Sequence, residues 1–250
     1  MKLKNKVVVV SGGARDIGRE VVLKLAGEGA SVVVNYFGSV DEAKRTEGDV
    51  IALNGECLFL QGDMTRSDDV DRLVDAGLSA FGNRIDGLVN VTGGLVARKT
   101  LSEMDDDFFS HVIRLNVNST FLLTKACVPH MSSGGSIVNL ASQAGRDGGG
   151  PGASAYASSK GAIMTFTRSM AKELGPQNIR VNALCPGVIS TTFHDTFSKD
   201  EVRKNIAAAT PLRREGQPAE VADIAAYLIS EESSFLTGVN LDTNGGLLFS

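Results

Sequence analysis

Tyr156 and Lys160 stand four residues apart in AYASSKGAIMTFTRSMAKEL, and Ser142 precedes them in SIVNLASQAG. Residues at i and i+4 share one face of a helix, so a phenol and an ammonium would address the same space. A free phenol titrates near pH ~10, too high for proton transfer at neutral pH. A neighbouring cation favours the phenolate and moves that value toward the range a general acid or base needs. A serine hydroxyl nearby would add a hydrogen-bond donor for an oxyanion.

Such a pair is useful only if a scaffold holds it against a substrate, and the rest of the chain reads as that scaffold. Short β-branched runs at Val7–Val10, Ser31–Asn35, Cys57–Gln61, Gly87–Asn90, Ser136–Leu140, Ile179–Leu184 and Val239–Asp242 predict strands. Most are continuous apolar runs, as expected of strands covered on both faces. Helical spacing falls between them at Ile17–Glu28, Val40–Asn54, Ser67–Phe81, Asp105–Met131, Ser154–Leu174 and Pro218–Ser230. Gly29 and Gly175 follow helices, and Pro176 forbids continuation. Strands alternating with helices imply a parallel sheet built from crossover units. The expected fold is α/β: one doubly wound, Rossmann-type domain over residues 1–250, a seven-stranded parallel sheet with helices on both faces. In such a sheet ligands bind beyond the carboxyl ends of the strands. The segments SGGARDIG, GDMT, NVTGG, SQAG and CPGVIST each follow a strand, so all five would meet on one edge.

Composition excludes several other functions. The chain has 250 residues, 42% hydrophobic and 22% charged, with net charge −4, which gives no basic footprint for nucleic acid or for a membrane surface. Cys57, Cys127 and Cys185 are odd in number and widely spaced, which fits a reducing cytoplasm better than a disulfide framework. The four valines after MKLKNK are too short for the apolar core of a signal peptide, and no run approaches a spanning helix. His111, His130 and His194 are isolated, so no metal site is expected.

Single motifs are ambiguous by themselves. Ser11–Gly18 joins the first strand to the first helix, where glycines and a helix N-terminus suit a phosphate, although the spacing GxGxxG is absent. Asn116 lies inside an apolar helix pattern and reads equally as a satisfied core amide or as a functional group. Asp63 reads either as a helix cap or as a contact to an adenine edge.

Taken together, these positions closely resemble the short-chain dehydrogenase/reductase family over nearly the whole chain. The family's Thr-Gly-x-x-x-Gly-x-Gly appears as Ser11, Gly12, Asp16 in place of the middle glycine, and Gly18. Asn90-Val91-Thr92-Gly93 is similar to its Asn-Asn-Ala-Gly. Pro186-Gly187 with Thr191 matches the segment that holds the nicotinamide carboxamide, and Leu236-Thr237-Gly238 through Gly245-Gly246 resembles its C-terminal strand and turn. The resemblance implies a catalytic tetrad of Asn116, Ser142, Tyr156 and Lys160. Tyr156 would exchange the proton at a carbonyl oxygen and Ser142 would orient that oxygen. Lys160 would lower the phenol's proton affinity and hold the nicotinamide ribose, and Asn116 would hold a water on the way to solvent. Cofactor contacts are expected at Gly12, Arg15, Asp16, Ile17, Gly18, Asn35, Tyr36, Asp63, Met64, Asn90, Thr92, Gly93, Tyr156, Lys160, Pro186, Gly187, Ile189 and Thr191.

The implied reaction is reversible reduction of a ketone or aldehyde by NAD(P)H. NADP(H) is favoured over NAD(H), because Asn35 is neutral where a carboxylate would bind the ribose hydroxyls and Arg15 could pair with a 2′-phosphate. Asp16 opposes this, since its charge lies close to the phosphates or pairs with Arg15. The pattern is most like the 3-oxoacyl-[acyl-carrier-protein] reductase branch, with a sugar or keto-uronate reductase as the alternative and a non-catalytic NAD(P)-binding protein as a further one. A lid at about residues 189–212 carries His194, Asp195, Lys199, Arg203 and Lys204 among two phenylalanines, and it reads either as a solvated amphipathic segment or as a clamp for a polar substrate. Gln143, Gly145, Arg146, Asp147, Gly94 and Arg98 would add polar groups near the pocket. The partner is a small carbonyl or alcohol, with no nucleic acid and no membrane. A cytoplasmic homotetramer is the family expectation, built partly on Asp105–Met131 and Ser154–Leu174.

Overall fold

The run Val7-Val8-Val9-Val10 sends its side chains alternately into two cores, as the two-residue period of a strand requires. Val8 and Val10 join Val32, Val34, Val138 and Leu184 on one face of the sheet, while Val7 and Val9 join Val33, Leu88, Ile137 and Val181 on the other. The computed structural model describes residues 1–198 and 200–249; Lys199 and the side chain of His194, both named above in the lid, lie outside the described residues.

The strands are β1 (Val7–Ser11), β2 (Ser31–Tyr36), β3 (Glu56–Gln61), β4 (Ile85–Asn90), β5 (Met131–Leu140), β6 (Arg180–Pro186) and β7 (Asn240–Thr243). All neighbours are parallel, in the order β3-β2-β1-β4-β5-β6-β7. This is the expected seven-stranded Rossmann-like sheet. Chain order reverses beside β1, which pairs with both β2 and β4, and the crevice of a doubly wound sheet opens at such a switch point.

The helices α1 (Asp16–Gly27) and α10 (Pro218–Ile229) cover the first face through Val21, Val22, Leu25, Val221, Ala225 and Ile229. On the second face lie α3 (Ser67–Phe81), α5 (Ser119–Cys127) and α7 (Ser154–Leu174), which contribute Leu73, Val74, Leu123, Ala171 and Leu174. α2 (Val40–Ala52) adds Val50 to the first core.

The structure departs from the sequence expectation in one long element. The helical pattern over Asp105–Met131 is three pieces: α4 (Asp106–Ile113), a π-helical turn (Arg114–Asn118) and α5. A 3₁₀ turn at Val128–His130 then ends the helix at Pro129, and Met131 already belongs to β5. The wide turn disturbs the regular backbone ladder, and neighbouring hydroxyls supply bonds there. Ser119 Oγ donates to the Leu115 carbonyl at 2.6 Å, and Thr120 Oγ1 donates to the Asn116 carbonyl at 3.0 Å. Apolar periodicity cannot register a single-residue insertion of this kind, because the buried face continues across it.

Candidate active site

α7 places Tyr156 and Lys160 one turn apart on the face turned toward the end of β5. Lys160 is buried, and its Nζ donates to the carbonyl of Leu140 at 2.6 Å. The same Nζ lies 5.7 Å from the centre of the Tyr156 ring. Ser142 follows β5 by two residues, and its hydroxyl lies near enough to the Tyr156 phenol to favour the phenolate. Phenol, ammonium and hydroxyl therefore share one pocket at the carboxyl end of the sheet.

Asn116 enters from the opposite side because the π turn carries it there. Its Oδ1 accepts from Gly94 N at 3.0 Å, while its Nδ2 donates to Gly94 O and Val112 O, each at 2.9 Å. The core reading of this residue holds: the amide is fully bonded within the fold, where it lies beside Gly93. Gly93 separates it from the lysine. A methyl group on Gly93 would fall 2.5 Å from Asn116 Oδ1 and 3.2 Å from Lys160 Nζ, so only glycine lets the two converge.

Close backbone approach also sets α7 against the short helix α6 (Ala144–Asp147). A Cβ on Gly145 would lie 2.7 Å from the carbonyl carbon of Lys160 and 2.8 Å from Gly161 N. The neighbours it would strike are main-chain atoms, which cannot swing aside. Gly145 thus has a packing role under Lys160, and it brings no polar side chain to the pocket.

Electrostatics differ from the expectation for the tyrosine. Burial pushes the Tyr156 phenol above its ordinary value, and the Ser142 hydroxyl lowers it only in part. The ammonium that should have lowered it is directed at the Leu140 carbonyl. Burial lowers Lys160 to about 8, within reach of neutral pH.

The glycine-rich turn after β1 is shaped for a backbone-bound anion. Gly12 has φ +67, and a Cβ there would crowd Thr92 N at 3.2 Å. A Cβ on Gly18 would meet the Gly12 carbonyl oxygen at 2.0 Å, which no side chain could survive. Ser11 ties this turn to the loop after β4, since its Oγ accepts from Val91 N and Thr92 N at 3.1 Å each. The Thr92 hydroxyl is buried without a partner and faces Gly12. A cradle that admits no side chain, an unpartnered hydroxyl beside it and a helix starting at Asp16 with no side-chain cap fit a dinucleotide phosphate.

Asp16 adopts φ +52, the left-handed conformation that a glycine at this point would take without strain. Its carboxylate turns outward to the lid. Asp16 Oδ1 accepts from Thr192 N at 3.0 Å and Oδ2 from Thr192 Oγ1 at 2.5 Å, while Arg15 Nη1 reaches the same hydroxyl. Thr192 begins the lid helix α8 (Thr192–Phe197), which is followed by α9 (Asp200–Ala209). Arg98 secures the other end of α8, donating to the Phe197 carbonyl and the Pro151 carbonyl at 3.1 Å each. A carboxylate thus sits at the N-terminus of α8 and a guanidinium at its C-terminus, each matching the partial charge there.

Residues 12–248 match the family model described as enoyl-(acyl carrier protein) reductase. A 3-oxoacyl-[acyl-carrier-protein] reductase of Synechocystis sp. is 35% identical over 249 residues, covering 98% of this chain and 98% of the relative. Among solved structures, a short-chain dehydrogenase/reductase of Serratia marcescens superposes with TM-score 0.93 at 31% identity over 99% of both chains. The chain belongs to the short-chain dehydrogenase/reductase family. A further member, a blue fluorescent protein from a metagenomic library in complex with NADPH, gives TM-score 0.93 at 29% identity over the whole of both chains. As a short-chain dehydrogenase/reductase the protein is an NAD(P)-dependent oxidoreductase.

Within this family member, the cofactor positions named from sequence divide into two groups. Gly12, Arg15, Ile17, Gly18, Thr92, Gly93, Pro186, Gly187 and Thr191 lie on the loops that follow β1, β4 and β6, or at their edges. Four others turn their side chains inward. Asn35 is buried, with Oδ1 accepting from Gly12 N at 3.4 Å and Nδ2 donating to Gly62 O at 2.8 Å and Tyr36 O at 3.2 Å. It braces the glycine turn against the loop after β3. Met64 and Ile189 belong to the two cores, and Asn90 Nδ2 donates to Asn139 Oδ1 at 2.9 Å. Asp63 does not cap α3, which starts after Arg66; its Oδ1 accepts from Thr65 N and Thr65 Oγ1 and shapes the turn before that helix.

Other readings of the pocket's polar groups also change. Arg146 pairs with Asp242 at 2.8 Å and donates to Asn240 O, which locks α6 to β7. Asp147 takes up the Gln143 amide and Gly149 N. Thr192, the bracing role of Ser11 and the α8 anchor provided by Arg98 were not legible, because each contact joins segments at least 80 residues apart.

Proposed function

We propose that the protein catalyses reversible reduction of a ketone with NADPH, using Tyr156, Lys160, Ser142 and Asn116. The carrying observation is the convergence of the phenol, the buried ammonium and the Ser142 hydroxyl beside a glycine cradle fit for a dinucleotide. Bound there, a nicotinamide cofactor supplies or takes up a hydride at the substrate carbon. The remaining work falls to the chain. Ser142 orients the carbonyl oxygen, and Tyr156, protonated at neutral pH, holds the proton that oxygen receives. Lys160 supplies positive charge near the ring and, near pH 8, can itself release and regain a proton. Asn116 and Gly93 fix the wall against which Lys160 lies.

NADP(H) remains the favoured cofactor. The segment after β2, Tyr36-Phe37-Gly38-Ser39, carries no carboxylate to repel a 2′-phosphate, and the Arg15 side chain is half-exposed at the adjoining turn. The NADPH complex of the metagenomic relative supports the same choice. We expect the specificity constant for NADPH to exceed that for NADH, and Arg15→Ala to narrow the gap.

For the carbonyl substrate, likeness to the Synechocystis enzyme supports a 3-oxoacyl class. The keto-uronate alternative drew on a polar lid, in which Arg203 is held by Asp195 and by both oxygens of Glu215 and is the less available to a substrate anion. One catalytic unit over residues 1–250, a cytoplasmic location and a homotetramer belong to the same reading. The partly exposed Phe109 and Phe121 on α4 and α5 support an interface there. No helix among the described residues is long and apolar enough to cross a membrane. The direct test is Tyr156→Phe: turnover is expected to vanish while cofactor affinity, read by quenching of NADPH fluorescence, stays near wild type. Turnover near the wild-type rate would overturn the assignment.

A further inference from the structure

The lid presents two different faces, and the one that meets the catalytic tyrosine is aromatic. Phe193 and Phe197 stand at i and i+4 on α8, so they share a face. The Phe193 ring centre lies 5.9 Å from that of Tyr156, and Phe197 meets Phe193 edge-on at 5.2 Å. These are the separations and tilts at which aromatic rings attract. A stack of three rings therefore runs from the lid to the phenol that handles the proton.

Four polar side chains of the same segment are engaged elsewhere. Thr191 Oγ1 donates to Ile189 O, Thr192 binds Asp16, Thr196 Oγ1 donates to Thr192 O, and Asp195 pairs with Arg203. Around the rest of the pocket, Arg98 binds two carbonyls, Arg146 binds Asp242, and Gln143 donates to Asp147. An anionic substrate would lose its hydration against aromatic rings, while Arg98, Arg146 and Arg203 are already held by groups of the protein. An apolar ring would lose nothing and would gain contact with Phe193 and Phe197.

We infer that the substrate is a ketone carried on or beside an apolar ring, selected by Phe193 and Phe197 as specificity-determining residues. This rests on the carbonyl-reductase reading above and, within it, favours an aryl ketone over the 3-oxoacyl class. In the reaction the ketone carbon gains the hydride of NADPH and the ketone oxygen gains the Tyr156 proton. One secondary alcohol and NADP⁺ result, with the phenol reprotonated from solvent. The ring of the substrate takes its place against the aromatic face of α8, which leaves the carbonyl directed at Tyr156 and Ser142.

The test measures kcat/KM with NADPH for four carbonyls: a bicyclic aryl ketone such as 1-tetralone, 2,3-butanedione, an acetoacetyl thioester and a keto-uronate. Wild type is expected to prefer the aryl ketone to both the thioester and the uronate. Phe193→Ala and Phe197→Ala should each lower the preference for aryl ketone over thioester by about tenfold or more, the scale on which apolar pockets discriminate. Phe193→Leu, which keeps apolar bulk and loses the ring, should fall between alanine and wild type. NADPH affinity measured on each variant separates loss of the aromatic face from collapse of the lid. Preference of wild type for the uronate or the thioester overturns the inference and leaves the reductase reading intact. An unchanged preference in both alanine variants, with NADPH affinity retained, overturns it too. Inactivity of wild type toward all four, with tight NADPH binding, overturns the reductase reading itself.

Discussion

The floor of the site and its lid are built by opposite means. On the floor, each catalytic side chain belongs to a regular element or to the residue or two beyond its end, and the sheet beneath is continuous hydrogen-bonded backbone. Lys160 is buried and bonded to a strand carbonyl, and Asn116 is bonded three times. The lid is held by side chains: Asp16 at one end of α8, Arg98 at the other, and Arg203 between Asp195 and Glu215. Asp195 and Arg98 lie at the surface, where single polar contacts are worth little alone. A site that must admit and release substrate needs one wall of each kind, because local opening follows the less stable element.

Substitutions can break this contrast, beginning with the floor. Tyr156→Phe should lower kcat by about 10²–10⁴, the range for losing a positioned proton donor, with no change in thermal midpoint beyond a few degrees. Single-turnover rates would check it. Lys160→Met should abolish activity as well, but its stability signature is more telling. Burial lowers the lysine to about 8 from its usual 10.5. Between those values the unfolded chain binds more protons than the folded one, so the contribution of this group to stability rises as pH climbs from about 8 to about 10. Below pH 8 the buried charge costs the fold on the order of 3 kcal/mol at 1.36 kcal/mol per unit. Its loss is partly offset by the Leu140 carbonyl left without a donor, about 1–3 kcal/mol. At neutral pH the variant should therefore be destabilised little or not at all. Denaturant titrations at pH 7 and pH 10 should show wild type gaining relative to Lys160→Met at the higher pH.

Gly145→Ala examines how the floor is packed. The added methyl would strike main-chain atoms of Lys160 and Gly161 within 3 Å, so α6 must lift from α7. A loss of about 1–3 kcal/mol in urea unfolding is expected, with kcat reduced more than NADPH affinity. The smallest effect belongs to the lid. Asp16→Gly relieves a left-handed residue, about 1 kcal/mol, and removes two hydrogen bonds to Thr192 of similar total worth. Net stability should change by less than about 1 kcal/mol, while stopped-flow dissociation of NADPH should become several-fold faster. A dissociation rate equal to wild type would show that this contact does not hold the lid.

The two walls were also unequally legible. Valine runs and helical periods predicted the sheet and most helix ends, since each strand must bury two faces and its residue types show it. Tyr156 and Lys160 were visible because four residues along a helix is a local distance. Asn116 was visible as a polar residue in an apolar stretch, although the π turn that aims it was not. Asn35 misled for the same local reason: its position at the end of β2 is plain, but whether its amide faces inward or outward depends on Gly12 and Gly62, neither of which is a sequence neighbour. The lid's charges misled more. In the linear chain they read as solvated or as a clamp for substrate, and only folding brings Glu215 to Arg203.

From sequence alone came the α/β alternation, the glycine turns at strand ends and the tyrosine–lysine pair, all features whose physics is complete within a few residues. Tertiary structure decided what each polar group is used for. A hydrogen bond across 80 or 176 residues depends on where two elements dock, and burial, which raises the Tyr156 phenol and lowers the Lys160 ammonium, exists only once the layers have closed around them.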